Sequence, residues 1–280
     1  GTNNRVDTIW FSRVGEYENF TNTVVLADDE SFSKILAGGG VNRIKHLQAL
    51  DDLMCLSDGK IWRIQGTNNN DMSNFTESTI GSGDARPIPT RKSMLFVESN
   101  ENTVSDFTFR NSVNGYDGDK LDILVRSLFR EREITDMTFQ NSPNGVMHTV
   151  RDDGKMPVLT YLKNQDVYAW TYYETAGNYE RVISIDKKVF DETYVIVKRT
   201  VNGSTKRFIE LFKYEFQDIE STADDWYVDS GLEYNGEYTS LFRGLDHHVG
   251  ANVSVYADSH HPGVVFFVSS DGCITVPSGL

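Results

Sequence analysis

Apolar and polar residues in this chain alternate far more often than they recur at helical spacing, and the alternating stretches come in pairs. "LMCLSDGKIWRIQ" (53–65) places apolar residues on both sides of Asp58-Gly59, a strong short-turn signal, and so predicts a hairpin. "MLFVESNENTVSDFTF" (94–109) does the same around an Asn-rich turn, and "VLTYLKNQDVYAWTYYE" (158–174) does so around Lys163-Asn164-Gln165-Asp166. "TYVIVKRTVNGSTKRFIELFKY" (193–214) turns at Asn202-Gly203. These pairs recur at intervals of roughly 40 to 60 residues, near the period of the four-stranded meanders that build propeller blades.

Only one stretch carries a clear helical period. In "DKLDILVRSLFRERE" (119–133), Leu121, Leu124, Val125, Leu128 and Phe129 fall on one stripe, predicting a helix over about 119–130 with Asp119 as N-cap. A weaker helical turn is predicted over 43–50. From 215 to 229 the acid-rich "EFQDIESTADDWYVD" breaks the alternation and reads as a boundary loop. Four short strands are predicted beyond it, at 238–243, 252–257, 264–268 and 273–276. The resulting expectation is a mainly β chain: a propeller-like arrangement of antiparallel sheets with one inserted helix over 1–220, then a small all-β, barrel- or sandwich-like unit over 230–280. The last strand sits close to Leu280 and would leave an unpaired edge, so the native protein is expected to continue past this point.

Charge narrows the partners. The formal charge is −14, and tight binding of nucleic acid needs Lys and Arg to displace counterions from phosphates. No apolar run approaches the roughly 18 residues of a membrane-spanning helix, and "GTNNRVDTIW" has neither the basic nor the apolar part of a signal peptide. Cys55 and Cys273 alone make neither a disulfide framework nor a zinc knuckle.

The most chemically suggestive stretch is "GLDHHVGANVSVYADSHHPG" (244–263), which holds four of the six histidines: His247, His248, His260 and His261. The strand expected between the two pairs would separate them by roughly 17 to 20 Å, too far for a zinc ion whose ligands all lie within about 2 Å of it. Neighbouring histidines in extended chain also point to opposite faces. Loop-end histidines are therefore the preferred reading. "SFSK" (31–34) matches the S-x-x-K nucleophile pattern without its partner motifs. "GGG" (38–40) lacks the Lys-Ser/Thr of a phosphate loop and reads as a turn. The acidic doublets Asp28-Asp29, Asp51-Asp52, Asp152-Asp153 and Asp224-Asp225 are sequence neighbours rather than carboxylates held across a cleft, and read as solvated turns. The expectation is accordingly that the chain is not an enzyme and has no catalytic, cofactor-binding or metal-binding residue.

Several stretches together resemble one family. "TIWFSRVGEYENF" (8–20) resembles an R-V-W-F-S-R-x-G-D-Y-E-N-F opening found in structural tail proteins of bacteriophages. "LQALDDLMCLSDGKIWRI" (47–64), "LFVESNENTVSDFTF" (95–109) and the segment 119–130 are similar to its next three blocks. "VRDDGKMPVLTYLKNQDVYAW" (150–170) and "GLDHHVGANVSVYAD" (244–258) are similar to two further blocks, and all the matches run in chain order. Ser105, Asp106 and Ser259 depart from the pattern. The family is the nozzle of short-tailed phages, the tail tubular protein B-like or stabilisation proteins.

The resemblance implies a virion protein of the phage tail whose copies form a ring, expected to be hexameric, contacting neighbouring tail adaptor and fibre proteins. DNA would be retained in the ring and then ejected through it without tight binding. It also implies that only His247 of the four histidines belongs to the shared pattern, in a packing or turn role. The alternative is a propeller-type tail module binding a receptor or glycan through aromatic residues near "YAWTYYETAGNY" (168–179), in a chain with 13 Tyr and 16 Phe. A hydrolase using two convergent loop carboxylates is the third reading.

Overall fold

Twenty-one strands, joined by three short 3-10 helices, account for all the regular structure in the described part of the chain. The computed structural model describes residues 4–21, 27–36, 38–40, 42–90, 93–213, 228–257 and 263–277. Contacts divide the chain into two units, Gly1–Met137 and Thr138–Leu280.

In the first unit, β1 (Thr8–Phe11) and β2 (Phe32–Ile35) form an antiparallel ribbon in which the paired Phe11 and Phe32 rings stack at 4.7 Å. A meander follows, of β3 (Ile44–Ala49), β4 (Leu53–Ser57), β5 (Ile61–Gln65) and β6 (Ser73–Ser78), with Cys55 opposite Trp62 and Leu56 opposite Ile61. Alternation gives this sheet two apolar faces. Cys55, Trp62 and Ile64 pack with Ile9, Phe32, Leu36 and Met72 on one side. Met54, Leu56 and Ile61 pack on the other against Met94, Phe96, Phe107 and Tyr116. Those partners belong to a second meander, β7 (Ile88–Pro89), β8 (Ser93–Val97), β9 (Val104–Arg110) and β10 (Gly115–Lys120). Backbone bonds from Ser82 N–H to Ser57 O and from Ser99 N–H to Gly81 O join the two sheets. Gly81 comes so close to the Asp58 carbonyl that a Cβ would sit 2.1 Å from it, so only glycine fits.

The boundary between units falls inside β11 (Ile134–Gln140), which opens a third meander with β12 (Val146–Arg151), β13 (Met156–Leu162) and β14 (Val167–Tyr173). A three-stranded sheet follows, β15 (Asn178–Ile185), β16 (Glu192–Val201) and β17 (Ser204–Leu211). Its second turn has Asn202 and Gly203 at φ +49° and +74°, the left-handed pair that a two-residue hairpin requires. Val150, Met156 and Val158 pack against Tyr179, Val182, Val195 and Val197, making the core of the second unit from two sheet faces. Two small ribbons complete the described chain: β18 (Leu241–Phe242) pairs with β21 (Ile274–Thr275), and β19 (Asn252–Ser254) with β20 (Val265–Phe267).

The fold is thus mainly β and antiparallel. Its four main sheets start at Ile44, Ile88, Ile134 and Asn178, spacings of 44, 46 and 44 residues. That interval is the period of a propeller blade, and it is more even than the hairpin spacing in the sequence.

Two expectations are corrected. The helix expected over 119–130 is not α-helical. Asp119 and Lys120 end β10, paired with Asp106 and Ser105, and only Ile123–Leu128 turns, as a 3-10 helix interrupted at Val125. Leu124 is 95% exposed while Phe129 is 1% exposed, so the expected stripe does not lie on one buried face. The exposed edge of β9 takes the first residues as a strand, and the remainder is too short to propagate an α-helix. The turn expected over 43–50 is the strand β3, for a similar reason: it pairs with β4 along its length. The chain also divides between Met137 and Thr138, a boundary separate from the one expected between 220 and 230. Residues 214–227 lie outside the described part, but Asp229 and Ser230 are bonded back to the second unit, as described below.

One ion pair ties the first unit together across its sheets. Arg63 and Glu77 have side chains 9% and 7% exposed and meet at 2.6 Å. Asp52 lies 3.6 Å from the same guanidinium, and the Phe75 and Phe109 rings flank it at 5.1 and 5.9 Å. The second Glu77 oxygen accepts the Tyr116 N–H at 2.6 Å, fastening β6 to β10. Replacing Arg63 by Leu strands a buried carboxylate. Urea unfolding is expected to show a loss of roughly 3 to 5 kcal/mol, against about 1 kcal/mol or less for an exposed pair such as Lys213–Glu233.

Candidate functional site

The histidine stretch comes together differently from its sequence reading. Residues Asp246–His248 form a 3-10 turn, so His247 and His248 do not diverge: their rings lie 4.1 Å apart. Both Nε2 atoms reach the Ser230 carbonyl, at 3.4 and 3.0 Å, and the His247 ring packs 5.8 Å from Phe208. The divergence expected of neighbouring residues holds only in extended chain. Burial, and then the neighbouring His248, hold His247 below its ordinary pKa. His260, His261 and Asp258 lie outside the described residues. Among the described residues, no group of three or more His, Cys, Asp or Glu side chains could hold a metal ion.

Beside this pair, Arg199 is 2% exposed and grips Glu210 with two bonds of 2.8 Å, while Asp229 stands 3.2 Å away. Asp229 also accepts from Thr175 Oγ1 and the Ala176 N–H. Burial opposes the Asp229 charge, but the bonds from Arg199, Ala176 and Thr175 outweigh it and hold the carboxyl below the usual range. Together with the histidine bonds to Ser230, this network attaches the chain after 228 to the β15–β17 sheet. No sequence spacing announces it, because its members lie up to 54 residues apart.

The other sequence candidates separate. Ser31 Oγ donates to Thr21 O at 2.7 Å while Lys34 Nζ donates to Met72 O at 3.1 Å, so the S-x-x-K residues serve different partners. The acidic doublets also split: Asp29 pairs with Arg13, Asp28 accepts from Asn70, Asp52 faces Arg63 and Asp153 pairs with Arg151. Asp224 and Asp225 lie outside the described residues. Cys55 and Cys273 are free and buried, and burial pushes the Cys55 thiol up to about 12, leaving it inert as a nucleophile.

Two hollows are formed well enough to describe. One, of about 200 Å³, is lined by Phe11, Phe32, Leu53, Ile64 and Met72 together with Asp28 and Glu30. The other, of about 60 Å³, is bordered by Gln140, His148, Tyr173, Thr193 and Phe212. Both fall below the roughly 300 Å³ at which small-molecule sites begin. His148 Nε2 meets Gln140 Oε1 at 3.3 Å, but its Nδ1 is sealed from water without a hydrogen-bond partner. Such an atom costs stability and offers no ligand contact.

The aromatic stretch 168–179 lies mainly on the edge strand β14, where Tyr168, Tyr172 and Tyr173 are exposed, with Lys155 Nζ 5.6 Å from the Tyr172 ring. The more continuous apolar surface belongs to the outer side of the β15–β17 sheet. Register sets Ile183, Tyr194 and Leu211 in one row across the strands and Arg181, Ile196 and Ile209 in the next. Ile183, Ile185, Ile209 and Leu211 are 56, 42, 77 and 46% exposed. This surface escaped the sequence reading because alternation tells which residues share a face, not whether the face is covered.

Comparison of the sequence with protein-family models and with curated proteins gives no match in either case.

Burial lowers the His148 pKa to about 4, from an ordinary 6.5. The folded state thus stays neutral here while the unfolded chain takes up a proton below pH 6.5. Stability is full above pH 6.5 and is lost as pH falls toward 4, by about 3 kcal/mol from this residue. Burial shifts His46 and His247 in the same direction. Chemical denaturation at pH 7 and pH 4 is expected to show this loss in the native chain and a smaller one in His148→Gln.

Proposed function

We infer that the chain is a structural wall segment of a phage tail, one of several copies that form a ring-shaped nozzle for DNA. One observation carries the reading: the stretches resembling the nozzle family run in order, and most fall on elements that the chain forms. Stretch 47–64 covers β4 and most of β5, 95–109 covers most of β8 and β9, and 150–170 runs from β12 into β14. The stretch 8–20 begins with β1, and 244–258 contains the histidine turn and β19. The even period of the meander sheets supports the same reading, since a propeller-like platform is what the family implies. The segment 119–130, a short 3-10 turn, departs from it.

The charge fits the task. A wall that bound phosphates would slow a passing duplex, whereas carboxylates lining the passage repel it. Screening confines that repulsion to about 8 Å in physiological salt, so only carboxylates beside the duplex act on it. Part of the −14 charge would line the lumen. The ring would be hexameric and would contact the tail adaptor and fibre proteins in the virion. A second reading, glycan or receptor binding, is favoured by the exposed Tyr168, Tyr172 and Tyr173 of β14.

Negative-stain micrographs of the concentrated chain are expected to show closed rings with a central opening. Gel-shift titration with duplex DNA at low salt is expected to show no retardation. A lone particle without an opening, or retardation at micromolar protein, would overturn the nozzle. Glycan-array binding that Tyr172→Ala abolishes would instead establish the second reading.

A further inference from the structure

The outer side of the β15–β17 sheet is apolar, exposed and ringed by charge of the wrong sign for this chain. Its rows are contiguous: Ile183, Tyr194 and Leu211 stand side by side, and Ile196 and Ile209 adjoin them. Tyr194 and Ile196 are half-buried, while Ile209 is the most open of the set. Strands pair about 4.8 Å apart, so these side chains form one continuous patch rather than scattered residues. Apolar patches of this kind on a sheet normally meet another surface.

The rim identifies that surface. At one end Glu180 binds Arg207 at 2.6 Å and Lys198 at 3.9 Å, with the exposed Arg181 beside them. At the other, Lys187 pairs with Glu192 at 3.1 Å. Four cationic and two anionic side chains give the rim a charge of +2. The whole chain carries −14, so everything outside this face carries −16. Outside this face a second copy holds 39 acidic against 23 basic side chains, so acidic surface is available there. Two such faces set against each other would oppose like charge, whereas the same face set on an acidic part of a second copy would find opposite charge.

We propose that the outer face of the β15–β17 sheet is a docking surface for a second copy of this chain, joined head to tail through a different, acidic surface of that copy. A head-to-tail contact is heterologous, and when its rotation closes it generates a ring. This inference rests on the ring reading above and adds to it the surface that makes the contact, with Ile209 at its apolar centre and Arg181 on its rim.

Light scattering of the full chain at tens of micromolar, with three variants, tests it. Ile209→Asp and Arg181→Glu change exposed side chains, and circular dichroism is expected to show both folded with unchanged melting. The native chain is expected to be an oligomer. Ile209→Asp is expected to raise the concentration needed for assembly at least tenfold, and Arg181→Glu to raise it less. An Ile209→Cys chain, oxidised while assembled, is expected to form no disulfide-linked dimer, since position 209 does not meet itself. Cys55 and Cys273 are buried and do not interfere. Assembly unaffected by both charge variants overturns the surface and leaves the ring reading intact. A 209–209 disulfide overturns the head-to-tail contact, and a native chain that stays monomeric overturns the ring itself.

Discussion

A β-strand shows its side chains to two faces in strict alternation, and in β16 both faces are apolar. Thr193, Val195, Val197, Arg199 and Val201 turn inward, and the apolar members of that set are almost wholly buried. Tyr194 and Ile196 turn outward with Ile183, Ile209 and Leu211 around them. The inner face is satisfied by Val150, Met156 and Val158 from the preceding sheet. For the outer face the described residues provide charge at the rim, and Ile209 stays 77% exposed. A sheet with two apolar faces has room for two partners, and the open one is the face that the proposed docking would cover.

The first unit shows the same constraint met within the chain. The β3–β6 sheet also has two apolar faces, and each is covered, one by the β1–β2 ribbon and the other by the β7–β10 sheet. The polar groups drawn in with them are paired. Arg63 would be intolerable on that buried face without Glu77 and Asp52, and Glu98, 5% exposed, is satisfied by Ser105 at 2.7 Å and Lys120 at 3.3 Å. In the second unit Arg199 plays a comparable part. Its bonds to Glu210 and Asp229, with the two histidines on the Ser230 carbonyl, draw the chain beyond 228 onto the sheet. His247 and His248, expected from the sequence as loop-end histidines, act as part of a clasp.

What could be read in the sequence was local. The hairpins at Asp58-Gly59 and Asn202-Gly203 were legible because turn residues and alternation both lie within a dozen positions. The helix at 119–130 misled because five apolar residues fell on a stripe, while the demand of the β9 edge for a partner lay elsewhere in the fold. The 43–50 segment misled in the same way, its neighbour being β4. Arg63 with Glu77 and Arg199 with Asp229 gave no local signal at all. The outer face of β15–β17 was legible as alternation and illegible as a surface, since a sequence does not say which face stays open.

The acidic composition and the open face then belong to one account, in which apolar contact with a basic rim joins copies and the remaining acid keeps a polyanion from adhering. Hydroxyl-radical footprinting addresses its central claim most directly, by comparing side-chain oxidation in dilute and concentrated protein. The account predicts that labelling of Ile183, Ile209 and Leu211 falls several-fold on concentration while Tyr168 and Tyr172 of β14 stay equally reactive. Equal labelling of the three aliphatic residues at both concentrations, in protein that has assembled, would contradict it.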